Sequence, residues 1–555
     1  MPHQIFNIYP GKYREKIDRA VRLLEVQRII ERIKNIDFTI WKTDPAEISN
    51  RLGWLKSPET MLEALPGIRS FAEDISRSGI SKVVLVGMGG SSLAPEVFSR
   101  TFEKKKGFPD LLVLDTTDPD AIHAIEKKIS LKRSLILVAT KSGGTVETIS
   151  LMKYFYNRLV NAVGEEEVGS RFAAITDPES GLEKMARSLK FRKIFLNDPD
   201  IGGRYSALSY FGMVPAALIG VDIATILKRA KDFSERTFSS GDQAALHLGA
   251  MIGLLASEGR DKLTLIGDKT WQYFGPWVEQ LVAESTGKEG KGILPVEGEG
   301  ELQPEDYTPD RCFVVISETS GSMTGAGLRK AGYPVFDMLA GAKENIGIQF
   351  FLWEIATIVA GHFLHINPFD QPDVEAAKIK ARELMDRYKK TGELEHPKIG
   401  YYDRNFDFYG DVTGSSVQDI IRKFFSKNRQ KGAYLSIQAY LPPDRNIDLI
   451  LQGLREKLRN AFNCVTTVGY GPRFLHSTGQ LHKGDGGRGI FLQILNMPSS
   501  DLEIPDEAGK RNSAITFGTL RNAQAFGDRE ALISAGRKVM TVVIKSDPVN
   551  LLLLV

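Results

Sequence analysis

The residues Val83-Val84-Leu85-Val86 run straight into Gly87-Met88-Gly89-Gly90-Ser91-Ser92. Four consecutive apolar residues, bounded by glycine, read as a strand buried on both faces. The glycines let the backbone approach a ligand closely, and the helix expected next offers unpaired N–H groups. The spacing is not G-x-G-x-x-G, because Ser92 stands at the third glycine position. Asp115, at the end of the next apolar run, could still imitate the acid that holds a ribose. A dinucleotide site and a plain tight turn therefore both stay open at this point.

The same pattern repeats outward. Leu111–Leu114, Leu135–Val138, Ala173–Ile175 and Lys193–Leu196 are short apolar runs separated by helical stretches or turns. This alternation predicts a doubly wound α/β domain with a parallel sheet over residues 76–230. Upstream, Ile17, Val21, Leu24 and Ile29 fall near a 3.6 spacing and predict a helix over 11–35. A second helix over about 58–78 completes a helical segment, 1–75. Downstream, Leu263–Ile266, Phe313–Ile316 and Pro334–Phe336 read as strands, followed by helices near 348–364 and 373–388. They define a second α/β domain over 231–395. Residues 389–415, with mixed charge, glycine and aromatics, read as a connection. Alternation resumes with strands at Ala433–Ala439, Val465–Val468, Gly489–Leu495 and Met540–Ile544 and helices near 416–427 and 445–462. This α/β extension, 396–555, either completes the second sheet or forms a third domain.

Composition narrows the function. The chain has 555 residues, enough for two to four cores, and a net charge of +3 gives no general reason to expect nucleic acid or a membrane as partner. Cys312 and Cys464 stand far apart, without metal-ligand spacing, so neither a disulfide framework nor a zinc site is expected. The start lacks the apolar run of a signal peptide, and Leu551–Val555 is too short to span a bilayer, so a reduced cytoplasm is expected.

Three further motifs carry chemistry. Thr140-Lys141-Ser142-Gly143-Gly144-Thr145 follows a strand and precedes a helix. Three hydroxyls, an amine and freed backbone amides at the positive end of a helix suit a phosphate dianion. It is not a Walker loop, because the lysine precedes the glycines. A helix cap with a solvated lysine is the alternative. The others are Glu279–Lys288, containing Glu284-Ser285-Thr286-Gly287-Lys288, and Asn367–Lys378, containing Phe369-Asp370-Gln371-Pro372. Read alone, Glu284 is a surface acid and Asp370 a helix cap.

Together these four motifs resemble the glucose-6-phosphate isomerase family. The phrases GMGGSSLAPEV, ESTGKEGKG, NPFDQPDVE and GPRFLHSTGQLHKG make the chain most similar to the isomerase half of fused transaldolase/glucose-6-phosphate isomerase proteins. The resemblance implies two doubly wound sugar isomerase domains, a sugar phosphate as ligand, no cofactor and no metal, and a homodimer. It assigns Thr140, Lys141, Ser142, Thr145 and Thr148 to the phosphate, and Gly90 and Ser91 to the pocket lining. Arg204, in Gly202-Gly203-Arg204-Tyr205-Ser206, matches the arginine beside the reacting carbons. Glu284 matches the catalytic base, and Gln371 and Lys378 match the glutamine and lysine of the last motif.

One element departs from the family pattern. Its ring-opening histidine normally lies between the base and the F-D-Q motif, where this chain has only His362 and His365, in an apolar helix. They read as core or helix-end residues. A strand, a Gly/Pro loop and a helix start recur around Val465–His482, so His476 is expected in the ring-opening role. Glu284 would then move the proton between C2 and C1, with Arg204 stabilising the enediolate and His476, helped by Lys378, opening the ring. Rival readings are a sugar-phosphate-binding regulator, a dinucleotide oxidoreductase and an isomerase that also accepts mannose 6-phosphate. A bifunctional transaldolase has no room, because the two sheets occupy the chain.

Overall fold

The computed structural model describes residues 6–239, 243–319 and 323–555. The chain is α/β and divides into two compact units. The first comprises Met1–Leu114, Ile129–Thr286 and Gly292–Asp370; the second comprises Asp115–Lys128, Gly287–Lys291 and Gln371–Val555. Strands are numbered in chain order: β1 (Phe6–Tyr9), β2 (Lys82–Gly87), β3 (Asp110–Leu114), β4 (Ser134–Ala139), β5 (Phe172–Thr176), β6 (Lys193–Leu196), β7 (Lys262–Gly267), β8 (Leu294–Val296), β9 (Arg311–Ser317), β10 (Val335–Leu339), β11 (Ile399–Tyr402), β12 (Phe406–Tyr409), β13 (Tyr434–Tyr440), β14 (Val465–Tyr470), β15 (Gly489–Asn496), β16 (Glu503–Ile504), β17 (Ile515–Thr516) and β18 (Lys538–Ile544).

The first unit holds two sheets. One is parallel, in the order β3-β2-β4-β5-β6, and Val83–Val86 is fully buried on its interior strand β2. The other runs β1-β10-β9-β7-β8, parallel except for β1, which pairs antiparallel with β10. The segment 1–75 therefore supplies an edge strand as well as helices. The helix expected over 11–35 is broken: Arg14–Val26 buries Ile17, Ala20, Val21 and Leu24, then Arg28 turns left-handed at φ +53° before Ile29–Lys34. A left-handed residue ends a helix by turning the chain away from its axis.

The helix Ile346–Leu364 runs through the core of this unit and is buried on nearly every side. Lys343–Leu364 is long and apolar enough to cross a bilayer, yet 83% of its apolar window is buried within the fold. His362 lies half-buried on this helix, with Nδ1 at 2.8 Å from the Ile40 carbonyl, and His365 caps its end at φ +54°. Glu354, in the middle, is 1% exposed, and burial holds its carboxyl well above the ordinary range.

The second unit has its own sheet, ordered β11-β12-β18-β15-β13-β14. The late strands do not complete the second sheet; β13, β14, β15 and β18 pair in parallel with one another. Within 389–415, read as a connection, β11 and β12 form an antiparallel hairpin that adds to β18. The boundary expected at 395/396 lies at 370/371, because the helix Val374–Thr391 packs on Phe517–Ser534. One face of the sheet is apolar, with Leu435, Ile437, Leu492 and Val542 in a single core. The other buries Gln438, Gln493 and Thr541, with Thr541 donating to Gln493 at 2.9 Å.

All three main sheets share one topology. Taken in chain order, the parallel strands of each stand 2-1-3-4, and the first sheet adds a fifth. In such sheets the crevice for a ligand lies beyond the carboxyl ends of strands one and three.

Candidate active site

In the first sheet that crevice falls beyond β2 and β4, where two of the motifs sit. Gly89–Ser91 forms a short 3-10 turn after β2, with Gly90 and Ser91 buried. It meets a second 3-10 turn, Gly203–Tyr205, so closely that a Cβ on Gly90 would lie 2.0 Å from the Gly203 carbonyl oxygen. Only glycine fits there, and the contact fixes where Arg204 emerges.

Arg204 is 4% exposed and Glu284 6%. Their side chains pair at 3.1 Å, Arg204 Nη1 to Glu284 Oε1. Glu284 stands in the last turn of the helix Gly275–Thr286, and Gln280, one turn earlier, donates to its other oxygen at 3.1 Å. The remaining guanidinium donors are also used. Nε donates to Ser285 Oγ at 2.9 Å, and Nη2 donates to the carbonyls of Pro368 and Asp370, each at 2.9 Å. Tyr205 shares Ser285 Oγ at 2.9 Å, reaches the Pro368 carbonyl at 3.2 Å and stacks on Trp54. Burial pushes the Tyr205 hydroxyl up to about 12, so it stays a neutral hydrogen-bonding group. A buried ion pair is tolerable only when its hydrogen-bonding capacity is met, and here it is met from four directions. The arrangement sets a carboxylate and a fixed positive charge side by side in a place that excludes water.

The loop after β4 is built differently. Gly143 turns at φ +69° against Gly181 and Leu182, and a Cβ there would lie 2.4 Å from the Leu182 nitrogen. Thr140 and Thr145 hydroxyls pair across the loop at 2.9 Å, and Ser142 is exposed, accepting from the Gly144 N–H at 3.3 Å. Thr148, in the first turn of the helix Val146–Val163, is buried, and its hydroxyl has no hydrogen-bond partner among the described residues. Lys141 departs from the expectation: its amine pairs with Asp177 and donates to the Pro199 carbonyl at 2.7 Å. Burial raises the Asp177 carboxyl, against the pull of that lysine.

Gln371, Lys378 and His476 belong to the second unit. Gln371 is exposed. Lys378 is half-exposed and pairs with Glu375 at 2.7 Å. His476 ends the 3-10 turn Arg473–His476 and is half-buried. Within this unit Gln480 joins three motif tails: it donates to the Gly287 carbonyl at 2.9 Å and to Asp373 at 2.6 Å, and accepts from the Asp373 N–H at 3.0 Å. Asp115 is held by Arg473, which removes it as a ribose acid. Sequence reasoning missed Gln280, Ser285, Tyr205 and Gln480. Gln280 was the readable one, four residues before Glu284 and so on the same helix face.

The profile of the phosphoglucose isomerase family matches residues 63–293. The glucose-6-phosphate isomerase of Rubrobacter xylanophilus is 28% identical over 408 residues, covering 64% of this chain and 92% of that protein. That of Streptococcus gordonii is 27% identical over 452 residues, covering 70% and 97%. Two solved structures share the fold: a hypothetical protein, TT0462, of Thermus thermophilus at a TM-score of 0.58 and 23% identity, covering 68% of this chain and 99% of that one, and a glucose-6-phosphate isomerase of Chlamydia trachomatis at 0.57 and 18%, covering 68% and 87%. Two doubly wound sheets are thus the fold that the chain shares with these solved structures. Over residues 63–293 the chain is similar to the phosphoglucose isomerase family, and over a longer stretch to the glucose-6-phosphate isomerases named above.

Proposed function

We propose that this chain is a glucose-6-phosphate isomerase, interconverting glucose 6-phosphate and fructose 6-phosphate through an enediolate. The observation that carries the reading is the Arg204–Glu284 pair. Moving a proton between neighbouring carbons needs one base that reaches both, and Glu284 has that role. Negative charge then gathers on the substrate oxygens, and Arg204, already held in place by hydrogen bonds, stabilises it without reorganising. Both groups are side chains, so the step asks for no metal or cofactor.

The phosphate is assigned to the loop after β4, through Ser142, Thr145 and the N-terminus of the helix Val146–Val163. Thr140, Lys141 and Thr148 support that loop, and Gly90 and Ser91 line the crevice. Ring opening is assigned to His476 with Lys378, and a further substrate contact to Gln371. A homodimer in the cytoplasm, without nucleic acid or membrane partners, is part of the same reading. The experiment is direct: the purified chain, given fructose 6-phosphate, yields glucose 6-phosphate in a dehydrogenase-coupled assay, with a rate unchanged by EDTA. No turnover, or a loss that a divalent metal restores, refutes it.

A further inference from the structure

Asp115 directly follows β3 and is 3% exposed. One side chain holds it: Arg473 Nη2 donates to Oδ1 at 2.8 Å, and Nε stands 2.6 Å from Oδ2 as an ion-pair contact. A planar guanidinium held by one charge-assisted hydrogen bond and a second close charge contact is limited in orientation as well as distance. Arg473 opens the 3-10 turn Arg473–His476. In that geometry the side chains of residues three apart eclipse one another, so Arg473 and His476 leave the turn on the same side. The two residues between them are held from elsewhere. Phe474 and Leu475 are 2% and 7% exposed, and the Phe474 ring meets Tyr440 at 5.6 Å and His482 at 6.0 Å. A short turn clamped by an ion pair at its head and by apolar packing in its middle has little freedom left for its last residue.

We propose that Asp115 is a positioning residue, gripping Arg473 to set the direction in which His476 presents its imidazole. The inference rests on the reading of His476 as the ring-opening group. Asp115 touches no reacting atom; it lies 358 residues before Arg473 in sequence and acts through the turn that Arg473 opens.

The test is a double-mutant cycle on Asp115→Asn and His476→Ala, read as kcat and KM for glucose 6-phosphate and as affinity for an open-chain hydroxamate phosphate. A misdirected imidazole slows ring opening, so Asp115→Asn is expected to lower kcat about tenfold or more. KM and hydroxamate affinity are expected to stay within about twofold, because the open-chain ligand bypasses the step. In the His476→Ala background Asp115→Asn should cost nothing further. Arg473→Lys, which keeps the charge and loses the planar guanidinium, should reproduce the single-mutant loss. If the losses multiply in the double mutant, or Asp115→Asn turns over like the parent, the positioning role is wrong. If His476→Ala alone leaves turnover intact, the ring-opening reading fails first and takes this inference with it.

Discussion

The first and third sheets have the same strand order and opposite fates at their carboxyl ends. Beyond β2 and β4 the chain places glycines and hydroxyls: Gly89–Ser91 in one loop, Thr140–Thr145 in the other. Beyond β13 and β15 it places protein. Asp115–Lys128 packs there with the second unit, and Arg521, fully buried, donates to Asp118 at 2.6 Å, to Asn496 Oδ1 at 2.8 Å and to the Asn496 carbonyl at 2.7 Å. Thr117 adds a bond to Gln524 at 2.9 Å. Strand order says where a ligand crevice can form; the loops decide whether it stays open. In the proposed reading the first sheet keeps polar groups for a ligand, while the third spends them on the fold.

Three experiments sharpen that contrast. The largest effect is expected at the filled crevice. Asp118→Ala leaves Arg521 buried without its charge partner, a loss of about 3–5 kcal/mol in the stability of the second unit. Chemical denaturation should show it as a lower midpoint for that unit, and a change under about 1 kcal/mol would mean the pair is not what seals the crevice. The open crevice should respond the other way. Ser142→Ala with Thr145→Ala removes two donors, each bond to a phosphate being worth about 1.5–3 kcal/mol. Affinity for a sugar-phosphate inhibitor is expected to fall at least tenfold while the melting temperature holds, and unchanged affinity would remove the loop from the site.

The smallest effect concerns acid. His482 is 3% exposed, and burial, then Lys483 and Arg537, hold its imidazole well below the ordinary value. As pH falls through about 6.5 the unfolded chain takes up a proton that the folded imidazole refuses, so stability drops toward acid. His482→Gln removes that contribution. Its melting temperature should fall less between pH 7.5 and 5 than the parent's, and equal slopes would place the sensitivity elsewhere.

The fold was legible where burial is uniform. Val83–Val86 and Leu135–Val138 sit on interior strands of a parallel sheet, where both faces are covered and the sequence reads as an unbroken apolar run. The helix Phe517–Ser534 was not legible, because Arg521 and Asp528 are buried at positions where periodicity asks for apolar residues. The hairpin β11–β12 escaped because its residues are half polar at a sheet edge. At the candidate site, the motifs pointed to Glu284 and Arg204, which the structure pairs, and no local signal could name Ser285 and Tyr205 as their supports. Lys141 shows the limit from the other side: a lysine in a phosphate-type loop, engaged by an acid 36 residues on.

In the proposed reaction Glu284 moves the proton while the rest of the site binds. The most direct test is to give fructose 6-phosphate to the parent and to Glu284→Gln in D2O and to follow deuterium at C2 of the glucose 6-phosphate formed. The parent should place deuterium there in part of its product. Glu284→Gln should turn over at least about 10²-fold more slowly and still bind an open-chain inhibitor with near-parental affinity. Turnover within a few-fold of the parent, or product from the parent free of deuterium at C2, would contradict the account.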